Sequence, residues 1–248
     1  YKGVKGFNDQ SAAFQQPYPG NTSNTPAGVL LPFHLDTTKT NAACTHDISH
    51  DWLPQHQSWN AGAMDGFVTS RIPINATDAV MTMGYYTRAD LPYYYAVADA
   101  FTLCDNYFCP VIGPSDPNRL YTVAASLDPD GTHGGPLLQT LGITNRASFY
   151  GKLTLTTMPE QLQARGISWK VYGTPDQNIL NGAFSDNNLS YFNHFQDTSS
   201  ELYHNAFVPQ FPTDFVADAA IGNLPQVAWV LASIIDSDHP PAPTTFVE

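Results

Sequence analysis

Gly113-Pro114-Ser115-Asp116-Pro117-Asn118-Arg119 is the stretch on which the reading of this chain turns. Ser115 stands just ahead of Pro117, and the helix-compatible run Leu120 to Ser126 follows. Proline suits the first helical turn, where its missing N–H costs nothing. A hydroxyl there sits among backbone N–H donors with no intrahelical partner, at the positive end of the helix dipole. Such a place suits a phosphate and the alkoxide that attacks it. The same residues also read as an ordinary serine N-cap after a Gly-Pro turn, and the run alone leaves both readings open.

Around this run lies enough chain for one globular core: 248 residues, 42% of them hydrophobic. Only 13% are charged, while 20 prolines and 17 glycines imply many ordered turns. An aromatic content of 12% argues against disorder. The net charge of −12 and the lack of a Lys/Arg cluster exclude nucleic-acid binding by phosphate neutralisation. They also argue against tight docking on anionic lipid, which needs polybasic segments; a zwitterionic head group such as choline phosphate fits better. No run reaches the length of a membrane-spanning helix. Cys104 and Cys109 could pair only where the backbone turns back, and a buried free thiol is the expectation for each cysteine.

Helix and strand signals alternate along the chain. A short strand is expected near Gly28 to Leu31, and loosely helical spacing over Asp47 to Phe67. Asp90-Leu91-Pro92 predicts a helix to about Phe101 with Asp90 as N-cap. Thr157-Met158-Pro159-Glu160 is a capping box whose helix ends at Gly166, and Ile167 to Tyr172 reads as a strand. Thr213 to Ile221 predicts a helix stopped by Gly222, and the apolar run Val227 to Ile235 a buried parallel strand. Helix-then-strand units indicate an α/β layered fold, with no repeat and no second domain.

The central run continues through Leu120-Tyr121 into Asp128-Pro129-Asp130-Gly131 and Gly134-Gly135-Pro136. Ahead of it come Gly3-Val4-Lys5-Gly6-Phe7, Pro32-Phe33-His34-Leu35-Asp36, His50-Asp51-Trp52 and Met83-Gly84-Tyr85-Tyr86. Behind it come Gly166-Ile167-Ser168-Trp169-Lys170-Val171-Tyr172 and Ser237-Asp238-His239-Pro240. In this order the segments resemble the bacterial phospholipase C and acid phosphatase family of phosphoesterases, over nearly the whole chain. The resemblance implies an alkaline-phosphatase-like layered fold, a mostly parallel central sheet flanked by helices, here incomplete. Residues 1–248 would form a single partial catalytic domain. Family members carry a Glu-Asn run upstream and an Asp-Glu run downstream that supply most metal ligands, and neither is found in this sequence. The isolated span is accordingly expected to be inactive.

For the site, the resemblance implies Ser115 as nucleophile and, through its oxygen, as ligand of one divalent metal ion whose other ligands lie outside this chain. It gives His239 and His50 as phosphate-contacting residues. An imidazolium there stabilises phosphoryl oxygens or protonates the leaving group; the plainer readings are a turn-capping loop histidine and a histidine that orients a neighbour. Asn118 and Arg119 are expected to support the loop or its packing, with direct phosphate contact by Arg119 the alternative. The tyrosines Tyr85, Tyr86 and Tyr93 to Tyr95 read either as a wall for a choline trimethylammonium or as packing. The implied function is a phospholipase C releasing diacylglycerol and a phosphorylated head group. The alternatives are an acid phosphatase, or a non-catalytic module derived from such an enzyme. Partners would be a phospholipid or phosphate ester with transient membrane-surface contact, and the location secreted or cell-envelope associated.

Overall fold

A computed structural model describes residues 12–20, 28–140, 147–174, 187–232 and 239–240. Within the chain two compact units are distinguished, Tyr1–Gly113 with Asp238–Glu248, and Pro114–Ser237. Mixed helices and short two-stranded sheets, parallel and antiparallel, give both an α/β character.

In the first unit, β1 (Gln16–Pro17) pairs antiparallel with β2 (Val29–Leu30), and β3 (Phe33–His34) pairs parallel with β4 (Gly84–Tyr85). Helices α1 (Trp52–Trp59), α2 (Ala76–Ala79) and α3 (Pro92–Ala100) lie between and after them. Leu30, Val68, Ala79 and Met83 form the buried cluster, packed by Tyr18, Phe33, Ile72 and Val80. Buried Gln16 ties the sheet to the loop after α1. Its Nε2 donates to Met64 O at 2.8 Å and its Oε1 accepts from Phe67 N at 2.8 Å. α1 ends at Asn60 in the left-handed region (φ 42°), a conformation asparagine tolerates.

In the second unit, α4 (Ser115–Ala124) and α5 (Met158–Ala164) precede β5 (Trp169–Tyr172). Helices α6 (Glu201–Phe207) and α7 (Thr213–Ala220) lead to β6 (Val227–Val230), parallel to β5 in register from Trp169↔Val227 to Tyr172↔Val230. A parallel neighbour requires a crossover of a dozen residues or more, which the two helices supply. Trp169, Tyr172, Tyr191, Phe192 and Phe195 are the largest side chains buried here, with Leu120 of α4 and Leu153 beside them in the core.

The capping box at Thr157 forms as read: its hydroxyl accepts from Glu160 N, and the Glu160 carboxylate accepts from Thr157 N at 2.8 Å. Gly166 and Gly222 take φ +69° and +70°, as helix-ending glycines do. Three expectations are corrected. Asp90 does not cap α3; Leu91 occupies that position while the Asp90 side chain binds elsewhere. β6 alternates half-buried and exposed residues instead of being buried, because β5 is its sole partner among the described residues. The cysteines are free but exposed, since everything from Phe101 to Pro110 faces solvent and Cys44 lies on an open turn. Of the segments that carry the resemblance, Gly3 to Phe7, Ser237 and Asp238 lie outside the described residues, as does the end of the Val227 to Ile235 run. No helix of the described residues is long and apolar enough to cross a membrane.

Candidate active site

Ser115 is the first residue of α4 and is exposed. Pro114 precedes it in extended conformation and Pro117 falls in the first turn, so the two prolines fix where the chain turns helical. The amides expected to await a phosphate already have a partner. Thr140 Oγ1 accepts from Ser115 N at 3.1 Å and, more weakly, from Asp116 N at 3.5 Å. Asn118 Nδ2 donates to Pro114 O at 3.0 Å, across the turn that carries Ser115. Arg119 is half-buried and lines a small cleft of about 80 Å³ with Val123, Val171 and Trp229.

Asp116, which the sequence reading passed over, anchors this helix. It is 1% exposed, and its carboxylate accepts from Tyr191 OH at 3.0 Å and from Asn188 Nδ2 at 3.4 Å. A buried carboxylate is tolerated only with such partners. Its partners lie more than 70 residues away, so no local spacing announces them.

In the first unit the structure brings His50 and His239 together. Their rings meet edge to face with centroids 6.4 Å apart. Asp47 joins them: one ligand atom from each of Asp47, His50 and His239 lies within 4.8 Å of the others. Two imidazoles and a carboxylate are a donor set suited to a divalent transition metal. Both rings are held through Nδ1, which is 2.9 Å from Ile48 O in His50 and 2.7 Å from Pro240 O in His239. A ring whose Nδ1–H donates to a carbonyl keeps its lone pair on Nε2, the arrangement that orients metal-ligating histidines. The His50 carbonyl in turn accepts from Gln55 of α1.

Asp47 and His50 open on a cavity of about 450 Å³ that Ser49, Asp51, Arg71 and Asp78 also line. Arg71 is 8% exposed, and its Nε donates to Ser49 O at 2.9 Å. Burial pulls its guanidinium below the ordinary arginine range. Nothing in the surrounding sequence, Thr69-Ser70-Arg71-Ile72, marks it out; the signal is burial, which one sequence does not display.

Other candidates resolve into structural roles. His34 Nε2 meets Asp90 Oδ2 at 2.7 Å and the ring stacks on Tyr85, centroids 5.7 Å apart. Tyr86 OH donates to Ala42 O at 2.7 Å, and Tyr95 is buried beneath Arg88, 4.7 Å from its ring centroid. Tyr85, Tyr86 and Tyr95 are thus engaged in packing, whereas Tyr93 is exposed.

A family model described as the Phosphoesterase family matches residues 1–247. Phospholipase C A of Mycobacterium tuberculosis (strain H37Rv) is 40% identical over 248 residues, 97% of this chain and 47% of that protein. Phospholipase C B of the same strain is 39% identical over 255 residues, covering 97% and 47%. The non-hemolytic phospholipase C of Pseudomonas aeruginosa is 35% identical over 245 residues, 96% of this chain and 33% of that protein. The chain thus spans about half the length, or less, of these curated relatives.

Proposed function

From a chain that belongs to the Phosphoesterase family, we propose a catalytic span of a metal-dependent phospholipase C that cleaves phosphatidylcholine-type lipids to diacylglycerol and a phosphorylated head group. The observation that carries this is the 40% identity to a phospholipase C over 97% of the chain. Residues 1–248 form one stretch of a single catalytic domain with an alkaline-phosphatase-like layered sheet; the parallel pairings β3–β4 and β5–β6 support that arrangement. The enzyme is secreted or held at the cell envelope and meets its lipid at a membrane surface.

Ser115 Oγ attacks phosphorus in line, the glycerol oxygen departs as a proton reaches it, and water later opens the phosphoserine. Asn118 holds the Pro114 carbonyl and with it the turn that presents the nucleophile. Arg119 braces α4 against its neighbours. Where a divalent cation is bound, it would neutralise charge at the phosphoryl oxygens. Asp47, His50 and His239 of the first unit are a donor set that would hold a divalent ion; Ser115 as a metal ligand rests on the resemblance alone. The resemblance gives His50 and His239 as phosphate-contacting residues, and in that role, taken in place of metal ligation, an imidazole stabilises a phosphoryl oxygen or returns a proton to the leaving group.

The test is Ser115→Ala in the complete parent protein, assayed for phosphocholine release from phosphatidylcholine beside a soluble phosphomonoester. Loss of a nucleophile that forms a covalent intermediate costs about a thousandfold or more in turnover. Unchanged hydrolysis overturns the reading, and faster cleavage of the monoester moves it to an acid phosphatase.

A further inference from the structure

Among the described residues, Arg71 is a charge without a counter-charge. Its residue is 8% exposed, yet no carboxylate oxygen of the described residues comes within 4.0 Å of the guanidinium. All its hydrogen bonds are to neutral oxygens. Nε donates to Ser49 O at 2.9 Å, and Nη1 reaches Ser58 Oγ at 2.5 Å, Ser70 Oγ at 2.7 Å and Phe67 O at 3.1 Å. Those contacts lock the plane of the fork and leave Nη2 as the one nitrogen with no hydrogen-bond partner among the described residues. Buried guanidinium groups are normally paired, because an uncompensated charge is costly to keep from water.

The carboxylates on the same cavity wall are otherwise engaged. Asp78 accepts from His46 Nδ1 at 2.9 Å and from Asn75 Nδ2 at 2.5 Å. Asp51 accepts from Ser49 Oγ at 3.3 Å, and Asp47 Oδ1 lies 3.5 Å from His50 Nδ1. A cation seated at Asp47, His50 and His239 would offset the Asp47 charge. What remains is a positioned, desolvated guanidinium whose residue lines a cavity of about 450 Å³ together with His50.

We propose that Arg71 is an anion-binding residue whose Nη2 takes a phosphoryl oxygen in the cavity it shares with Asp47 and His50. Guanidinium is suited to this because its planar donors match phosphate geometry and its charge persists at any working pH. The network from Ser49, Ser58, Phe67 and Ser70 makes the site preorganised: the side chain is already fixed before the anion arrives. The phosphate chemistry of the occupant rests on the phosphoesterase reading; the presence of an anion site rests on Arg71 alone.

Inorganic phosphate is the probe. The protein is treated with phenylglyoxal, which modifies accessible guanidinium groups, with and without phosphate, and modification is read residue by residue by mass spectrometry. Phosphate should protect Arg71 while leaving Arg165, an exposed arginine of the other unit, unprotected. Arg71→Met should weaken phosphate binding by about tenfold or more, and Arg71→Lys should restore part of it. Short-chain phosphatidylcholine in place of phosphate separates a lipid head group from free phosphate as the preferred source. Because Arg71→Met removes several internal hydrogen bonds, its circular dichroism is compared first, and if it does not fold the protection experiment decides alone. An Arg71 that phenylglyoxal does not reach even without phosphate, modification that phosphate does not slow, or a folded Arg71→Met with unchanged phosphate affinity overturns the inference. Each of these results leaves the Ser115 reading standing, just as active Ser115→Ala would leave protected Arg71 standing.

Discussion

At the scale of single residues, buried charges organise this chain, and the sequence hides them. Asp90 has 1% of its side chain exposed. It accepts from Thr37 N at 2.9 Å and Oγ1 at 3.0 Å, from Thr87 N at 2.7 Å and Oγ1 at 2.6 Å, and meets His34 at 2.7 Å. One carboxylate thereby ties β3, the Thr37 turn and the approach to α3 together. Asp90→Ala leaves buried amides and hydroxyls without acceptors, at about 1–3 kcal/mol for such a group. Urea unfolding should show that loss, and an unchanged midpoint would dissolve the hub. The local pattern Asp90-Leu91-Pro92 pointed to an N-cap because capping is read within a turn. The carboxylate turns back to Thr87, three residues upstream, and to Thr37 and His34, 53 and 56 residues upstream; the distant pair lies beyond any short motif. Arg71 escaped notice for the same reason: its importance comes from what surrounds it in space.

Elements were legible where their signals are local. The Thr157–Glu160 capping box, the glycines that end α5 and α7, and the Trp169 to Tyr172 strand all follow from neighbours within a few residues. Thr157 is fully buried, so its cap has no water to replace it. Thr157→Ala should cost about 1 kcal/mol, within the range of roughly 0.5–2 for cap removal. Thr157→Ser, which keeps the hydroxyl, should cost less, and equal losses in both would assign the effect to packing instead. The placement of α4 depends on a longer reach. Tyr191→Phe removes the hydroxyl 3.0 Å from Asp116 Oδ2 and should lower stability by about 1–2 kcal/mol. It should also reduce turnover in the parent enzyme, since α4 carries Ser115. Thermal unfolding beside an activity assay separates the two effects, and a neutral result in both would show that Asp116 is held without it. The exposure of β6 illustrates the opposite limit: an apolar run announces a strand, but what covers it depends on neighbours the run does not name.

For the whole molecule, the net charge of −12 and the set of well-bonded carboxylates decide how it responds to acid. Burial alone would raise the Asp90 and Asp128 carboxyls, but hydrogen bonds outweigh it. For Asp90 they come from Thr87, His34 and Thr37; for Asp128 from the amides of Gly135, His133 and Thr132; both groups lie below the ordinary range. Asp36, bonded by Lys39 and Thr38, falls to about 2. In each case the folded state binds its proton less readily than the unfolded chain, whose carboxyls titrate near pH 3.9. Their contribution is therefore complete above about pH 5 and is lost as pH falls through the folded values. Unfolding midpoints measured from pH 6 downward should stay level from these groups and then drop below about pH 4; a midpoint that rose on acidification would contradict the cages. The donor set at Asp47, His50 and His239 adds a second global handle. A divalent cation that binds only the folded protein raises its stability by about 2.7 kcal/mol at a hundredfold excess over its dissociation constant. Zinc titrated into metal-stripped protein should accordingly raise the melting temperature, and a chelator should reverse the gain. Acid should abolish it, because imidazole ligands must be neutral to bind. Asp47→Asn, at an exposed position, should blunt the zinc response while leaving the metal-free melting temperature close to the parent value. A response of the same size in that variant would place the cation elsewhere.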